Sequence, residues 1–238
     1  MKANRLLSGL IISLMSTSCY VYHPQTTDIP LIREKSDLRI DAGVSFVQTV
    51  HSTISYGLTN KVAIQAFGSL GSESKKYFQL APGLYKNNIN KSMVMELYGG
   101  FGYGYGDAYK DINPGNLYGN YQLYFLQCNI GKYSIKSSHT DFGFGIKTGL
   151  FHSNLIDHNF YHRGTEEGPF INYKENSILI EPLVSLKVGG ENLKLSFKFG
   201  GCWILKLTHP DIYIPTSKLN FGVGINFSTK KNKGDLKQ

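Results

Sequence analysis

The sequence predicts an all-β chain: an up-and-down antiparallel transmembrane β-barrel of about ten strands, with about eight or twelve as alternative counts. A period of two dominates from Asp37 to Phe227, one face of that alternation is apolar while the other carries glycine and charge, and the long connections cluster on one rim. The 238 residues include 16 Tyr, 14 Phe and 26 Gly, a patterning too aromatic for disorder. Charged residues are 18% of the chain, below the roughly 25% of soluble domains, yet no run reaches the ~20 apolar residues of a membrane helix. A helical membrane protein is excluded.

Residues 1–18 read as an export signal. Lys2 and Arg5 form a positive start, Leu6 to Met15 an apolar run too short to span a bilayer, and Ser16-Thr17-Ser18 a small-residue cleavage site. Cys19 follows directly. Residues 19–36, with Pro24 and Pro30, read as a periplasmic linker, 37–228 as the barrel and 229–238 as a basic tail. The net charge of +8 is spread accordingly, two in the leader and three in the tail, so the barrel region and linker hold only +3 and no basic patch for nucleic acid.

Within the barrel region the clearest strand is Thr140 to Phe151, where Phe142, Phe144, Ile146 and Leu150 alternate with Asp141, Gly143, Gly145, Lys147 and Gly149. Leu219 to Ser228, Met93 to Gly106 and the segment from Leu193 to Trp203 repeat the pattern. Weaker versions lie at Leu38 to Phe46, His51 to Leu58, Lys61 to Leu70, Tyr77 to Tyr85, Tyr121 to Tyr133 and Ser177 to Val188. Pro82 and Pro182 mark positions of broken pairing. On one rim the connections include Asp107 to Asn120, Ser153 to Asn176 and Thr208 to Lys218; on the other they are tight turns such as Thr59-Asn60. Long external loops and short periplasmic turns are the layout of outer-membrane barrels, with both termini periplasmic.

Alternation alone fits a membrane barrel and equally a soluble, lipocalin-like carrier with its apolar face inside. Face composition favours the first. Arg39, Asp41, Glu96, Asp141, Lys147, Glu181, Lys187, Lys194 and Lys198 share the glycine-rich face, where a narrow lumen lets opposite charges pair. Tyr103, Tyr105, Tyr118, Tyr121 and Trp203 lie towards the long-loop ends of their strands, as expected of rings at a membrane boundary.

With Cys19-Tyr20, the linker from Gln25 to Lys35 and the Gly-aromatic strands in view, the chain resembles the small outer-membrane β-barrel proteins, and within them a lipoprotein-initiated set. The resemblance implies an outer-membrane location, lipid as the surrounding partner and lipidation at Cys19, and little about activity. Ser16 departs from that set, which has Leu at this position.

Chemical constellations are few. The run Gly99 to Gly106 lacks the spacing of any phosphate-binding loop and fits a strand with a small inner face. Cys128 and Cys202 match no metal or redox motif. Asp157, His158, His162, His209 and Asp211 fall in two late loops on one rim, where a hydrolytic or metal site is conceivable. The expectation is a non-catalytic barrel with no cofactor and no metal, acting through its external loops. A narrow channel, a loop-borne hydrolase and a soluble carrier remain the alternatives.

Overall fold

In the computed structural model, residues 20–72, 74–108, 116–133, 139–158, 170–209, 214 and 216–229 are described. The strands are β1 (Leu38–Ser45), β2 (Thr49–Gly57), β3 (Val62–Gly71), β4 (Lys76–Asn88), β5 (Met93–Asp107), β6 (Asn116–Lys132), β7 (Thr140–His158), β8 (Phe170–Gly189), β9 (Leu193–Gly201), β10 (Trp203–Lys206) and β11 (Leu219–Ser228). From β1 to β9 each strand pairs antiparallel with the next, and β11 pairs with both β9 and β1, so the sheet closes on itself. Segments β9 and β10 both pair with β8 in one continuous register, and are two halves of one strand divided at Cys202. The fold is therefore a closed, antiparallel, ten-stranded barrel.

Both prolines sit where pairing lapses. The β4–β5 register runs from Leu80↔Phe101 to Gly83↔Tyr98 and omits the two positions between, because Pro82 has no N–H to give. Pro182 lies at the gap in the β8 pairing that separates β9 from β10.

The two rims differ. Tight turns at 58–61, 89–92 and 190–192, together with the 133–139 connection, join strands at the rim where β1 begins and β11 ends. Longer connections at 108–115, 159–169 and 207–218 lie at the opposite rim. Strands β6, β7 and β8 reach 17, 19 and 20 residues and extend that second rim into a crown. The sequence places 107–120 and 153–176 in loops; the structure continues them as strands down to Asn116, up to His158 and from Phe170. Alternation persists there, but the outer face turns from apolar to polar. Asn154, Lys174 and Asn176 are exposed on the outside, while Leu155 and Glu175 turn inward and are buried. A polar outer face is what a barrel wall presents to water.

Below the crown the orientation follows the membrane rule. Val44, Ile54, Leu70, Leu84, Leu97, Leu126, Ile146, Leu195 and Ile225 form an exposed apolar belt, while all nine charged residues assigned to the lumen are buried. Tyr103 and Trp203 are on the outer face near the crown. Tyr121 departs from the boundary position expected of it: it turns into the barrel at 2% exposure, as do Tyr85 and Tyr133. Cys202 is buried and Cys128 exposed, both free thiols on opposite faces of the wall.

Candidate functional site

A barrel of about ten strands encloses a lumen that must be filled by side chains or by another segment. Here it is filled by the chain's own N-terminal segment. The stretch read from sequence as a linker runs inside the barrel, and residues 21 to 32 are buried without interruption. Such a segment shows no period because the wall surrounds it, so every side chain meets protein.

Its path is monotonic from crown to turn rim. Tyr20 forms a β-bridge with Asp107 at the crown end of β5, and Tyr22 one with Thr216. The Ser217 N–H donates to the Tyr22 carbonyl at 3.0 Å, and Asn220 Nδ2 to the Pro24 carbonyl at 2.8 Å. Midway, Asp28 N–H donates to Thr53 Oγ1 at 3.1 Å and the Asp28 carbonyl accepts from Gln65 Nε2 at 3.0 Å. Near the turn rim Ile32 N–H donates to Glu96 Oε1 at 2.8 Å, and Asn87 Nδ2 to the Arg33 carbonyl at 2.9 Å. Ser36 N–H then donates to the Gly57 carbonyl at 2.7 Å, and β1 begins.

The crown half of the lumen is aromatic. Tyr22 packs edge-on against Tyr121 and Phe151 at ring separations of 5.4 and 5.1 Å, and Tyr121 stacks on Phe151 at 5.2 Å and on Tyr77 at 5.8 Å. The rest is ionic. Tyr22 donates its hydroxyl to Glu181 at 3.0 Å, the Gln25 N–H donates to the same carboxylate, and Lys147 Nζ lies 3.6 Å from it. Lys187 Nζ sits 2.8 Å from both Asp28 Oδ2 and the Ile29 carbonyl, while Asn226 Nδ2 donates to that Asp28 oxygen at 3.1 Å. Lys198 pairs with Asp41 and contacts His51 Nε2 at 2.7 Å; His51 Nδ1 is 3.2 Å from Thr26 Oγ1. At the turn rim Asp141 pairs with Lys194 at 2.6 Å and with Arg33 at 3.7 Å. Five of the nine luminal charged residues identified from sequence thus bond the segment directly, namely Glu96, Asp141, Lys147, Glu181 and Lys187, and Lys198 reaches it through His51.

The inward glycines make room for this. A Cβ at Gly143 would stand 2.8 Å from Ile29 Cγ2, one at Gly222 3.2 Å from Thr26 Cβ, and those at Gly106 and Gly131 would run into the Val21 carbonyl and the Leu31 side chain. The run Gly99 to Gly106 is strand, as its alternation predicts, and Gly100, Gly102 and Gly104 face inward onto the rings of Phe125, Tyr77 and Tyr121.

Of the crown residues considered for hydrolysis, His209 has its side chain described, and it lies against Glu175. His209 Nδ1 is 3.3 Å from Glu175 Oε2, and its own N–H donates to that oxygen at 2.6 Å. Glu175 also accepts from the Leu207 and Thr208 N–H groups at 2.9 and 3.0 Å. Burial pushes this carboxyl up, but the three backbone donors and the His209 ring outweigh it and hold Glu175 below the ordinary glutamate value. Asp157 and His158 continue β7, paired with Leu117 and Asn116. His162 and Asp211 lie outside the described residues, as does Cys19. Among the described residues no three His, Cys, Asp or Glu groups come together as a metal site would require.

The sequence matches no protein-family model and no curated protein. Solved structures similar to this chain include the N-terminal β-barrel domain of Pseudomonas aeruginosa OprF, at 15% identity over 83% of this chain and 100% of that one with a TM-score of 0.36, and the KdgM porin, at 10% identity over 82% and 99% with a TM-score of 0.37. The assignment as a barrel rests on the closed ring of paired strands.

Proposed function

We propose that this protein is an outer-membrane β-barrel closed by its own N-terminal segment, non-catalytic and non-conducting at rest, which acts through its crown as a surface for contacts in the envelope or outside the cell. The observation that carries this reading is the unbroken burial of residues 21–32 inside a wall whose outer belt is apolar. Such a belt fits a lipid surround and opposes the soluble-carrier alternative, which needs the apolar face inside. The long-loop rim is taken as external and the short-turn rim, with the C-terminus, as periplasmic. Lipidation of Cys19 belongs to the same proposal. Labelled fatty acid incorporated by the parent chain and lost in Cys19→Ala supports it; label retained in that variant excludes the site.

The test of the closed state is planar-bilayer recording of the purified, folded full-length protein. No conductance steps are expected. Regular steps from the intact chain would refute a closed lumen. A second reading, a gated narrow channel, is favoured by one feature: the segment is held by non-covalent contacts alone up to its join with β1, and the wall behind it stays charged. On that reading a chain lacking residues 21–32 conducts where the parent does not.

A further inference from the structure

We propose that the N-terminal segment threads the barrel completely, so that the chain ahead of Tyr20 lies outside the cell while the C-terminus remains on the periplasmic side. This rests on the outer-membrane reading above and adds a transmembrane path for a segment that is not part of the wall. Its basis is the order of contacts: Tyr20 with Asp107 and Tyr22 with Thr216 at the crown, Asp28 with Lys187 and Asn226 within the lumen, Ile32 with Glu96 and Ser36 with Gly57 at the turn rim. No contact in the series doubles back.

The length suffices. From Tyr22 to Ser36 the chain reaches about 46 Å at ~3.3 Å per residue, against an apolar band of about 25 Å for barrels of this kind. A hairpin, which would return the upstream chain to the turn rim, needs two passes through the lumen. The glycines facing Val21, Thr26, Ile29 and Leu31 leave space for one pass, because each abuts that single strand of chain.

The consequence concerns what residue 19 presents and where. Cys19 is one peptide bond from Tyr20, so a group attached to it, an acyl chain included, is delivered to the outer leaflet and not to the periplasmic one. The anchor and the barrel then hold the membrane from the same molecule at different depths. Because β1 and β11 form the closing seam, the segment is enclosed when those two strands pair, without being pulled through a finished barrel.

The experiment places one short epitope at three positions of the full-length chain: between Cys19 and Tyr20, between Gly164 and Thr165 in the crown connection, and after Gln238. Each variant is first checked for folding by heat-modifiable gel mobility, and antibody binding is compared in intact and permeabilised cells. The expected result is equal binding before and after permeabilisation for the first two, and loss of binding in intact cells for the third. An N-terminal epitope silent in intact cells, with the crown epitope bound, overturns threading and leaves the outer-membrane barrel standing. A crown epitope silent in intact cells with the C-terminal one bound overturns both the orientation and the proposal. Should the N-terminal insertion prevent folding, Tyr20→Cys with a membrane-impermeant maleimide takes its place, with labelling above the parent in intact cells as the supporting result and labelling only after permeabilisation as the contrary one.

Discussion

Replacing Asp28 by Ala removes the carboxylate that faces Lys187 inside the lumen, where both side chains are 1% exposed. Among the described residues Lys187 Nζ then keeps the Ile29 carbonyl at 2.8 Å as its hydrogen-bond acceptor, a dipole in place of the paired carboxylate. Leaving one ion of a buried pair unmatched costs about 3–5 kcal/mol. For a chain of this size each kcal/mol lowers the unfolding midpoint by about 2–4 °C, so the expected fall is roughly 6–20 °C. The assay is the temperature at which the folded, fast-migrating gel band is lost. Asp28→Leu combined with Lys187→Met removes both charges and is expected to recover most of that fall, since a buried pair is often replaced by apolar groups at little cost. A single Asp28→Ala change that moves stability by no more than about 0.5 kcal/mol, the range of surface substitutions, would refute the placement of this pair. So would a double variant as damaged as the sum of the two singles.

Other consequences follow from the wall and the crown. Leu126→Arg, in the middle of the exposed β6 belt, is expected to cost about 2–4 kcal/mol in lipid, while Asn154→Arg on the outside of the crown costs close to nothing; equal effects in folding titrations into vesicles would remove the membrane boundary drawn between them. Gly143→Leu puts a side chain where Ile29 sits and is expected to displace the segment while the barrel still closes, read as new protease cleavage at Arg33 with heat-modifiability retained. Unchanged protection at Arg33 would count against the packing. Glu175, with its carboxyl held below the ordinary value in the folded state, stabilises the Leu207–His209 turn above the unfolded pKa, and that contribution is lost as pH falls through the folded one. Amide signals of those three residues should shift together in that acid range and should already be shifted at neutral pH in Glu175→Gln; a titration above the ordinary glutamate value of 4.5 would contradict the sign.

How far the sequence could be read depends on where each residue's partners are. The wall was legible because a strand between lipid and lumen writes its two environments into alternate positions, as in Phe142, Phe144 and Ile146 against Asp141, Gly143 and Lys147. The crown was harder. Asn154, Lys174 and Asn176 keep the period but put polar groups on the outer face, so the pattern read as an end of strand. The segment in the lumen left no periodic trace, because Tyr22, Asp28 and Ile32 find their partners on strands far away in sequence. One signal did point to it. Glycine recurs on the inner face beyond what luminal lysines and arginines need, and that space belongs to Val21, Thr26, Ile29 and Leu31.

The most direct test of an occupied lumen is a covalent tie between segment and wall. A Cβ at Gly143 would lie 3.2 Å from that of Ile29, just short of the ~3.5–4.5 Å spanned by a disulfide and within a small backbone adjustment of it. In a Cys128→Ser, Cys202→Ala background, Ile29→Cys with Gly143→Cys should form that bond in the envelope, seen as a crosslinked peptide pair by mass spectrometry, while Ile29→Cys with Ser74→Cys on the crown rim should not. Two free thiols at positions 29 and 143 in the folded barrel would contradict the account.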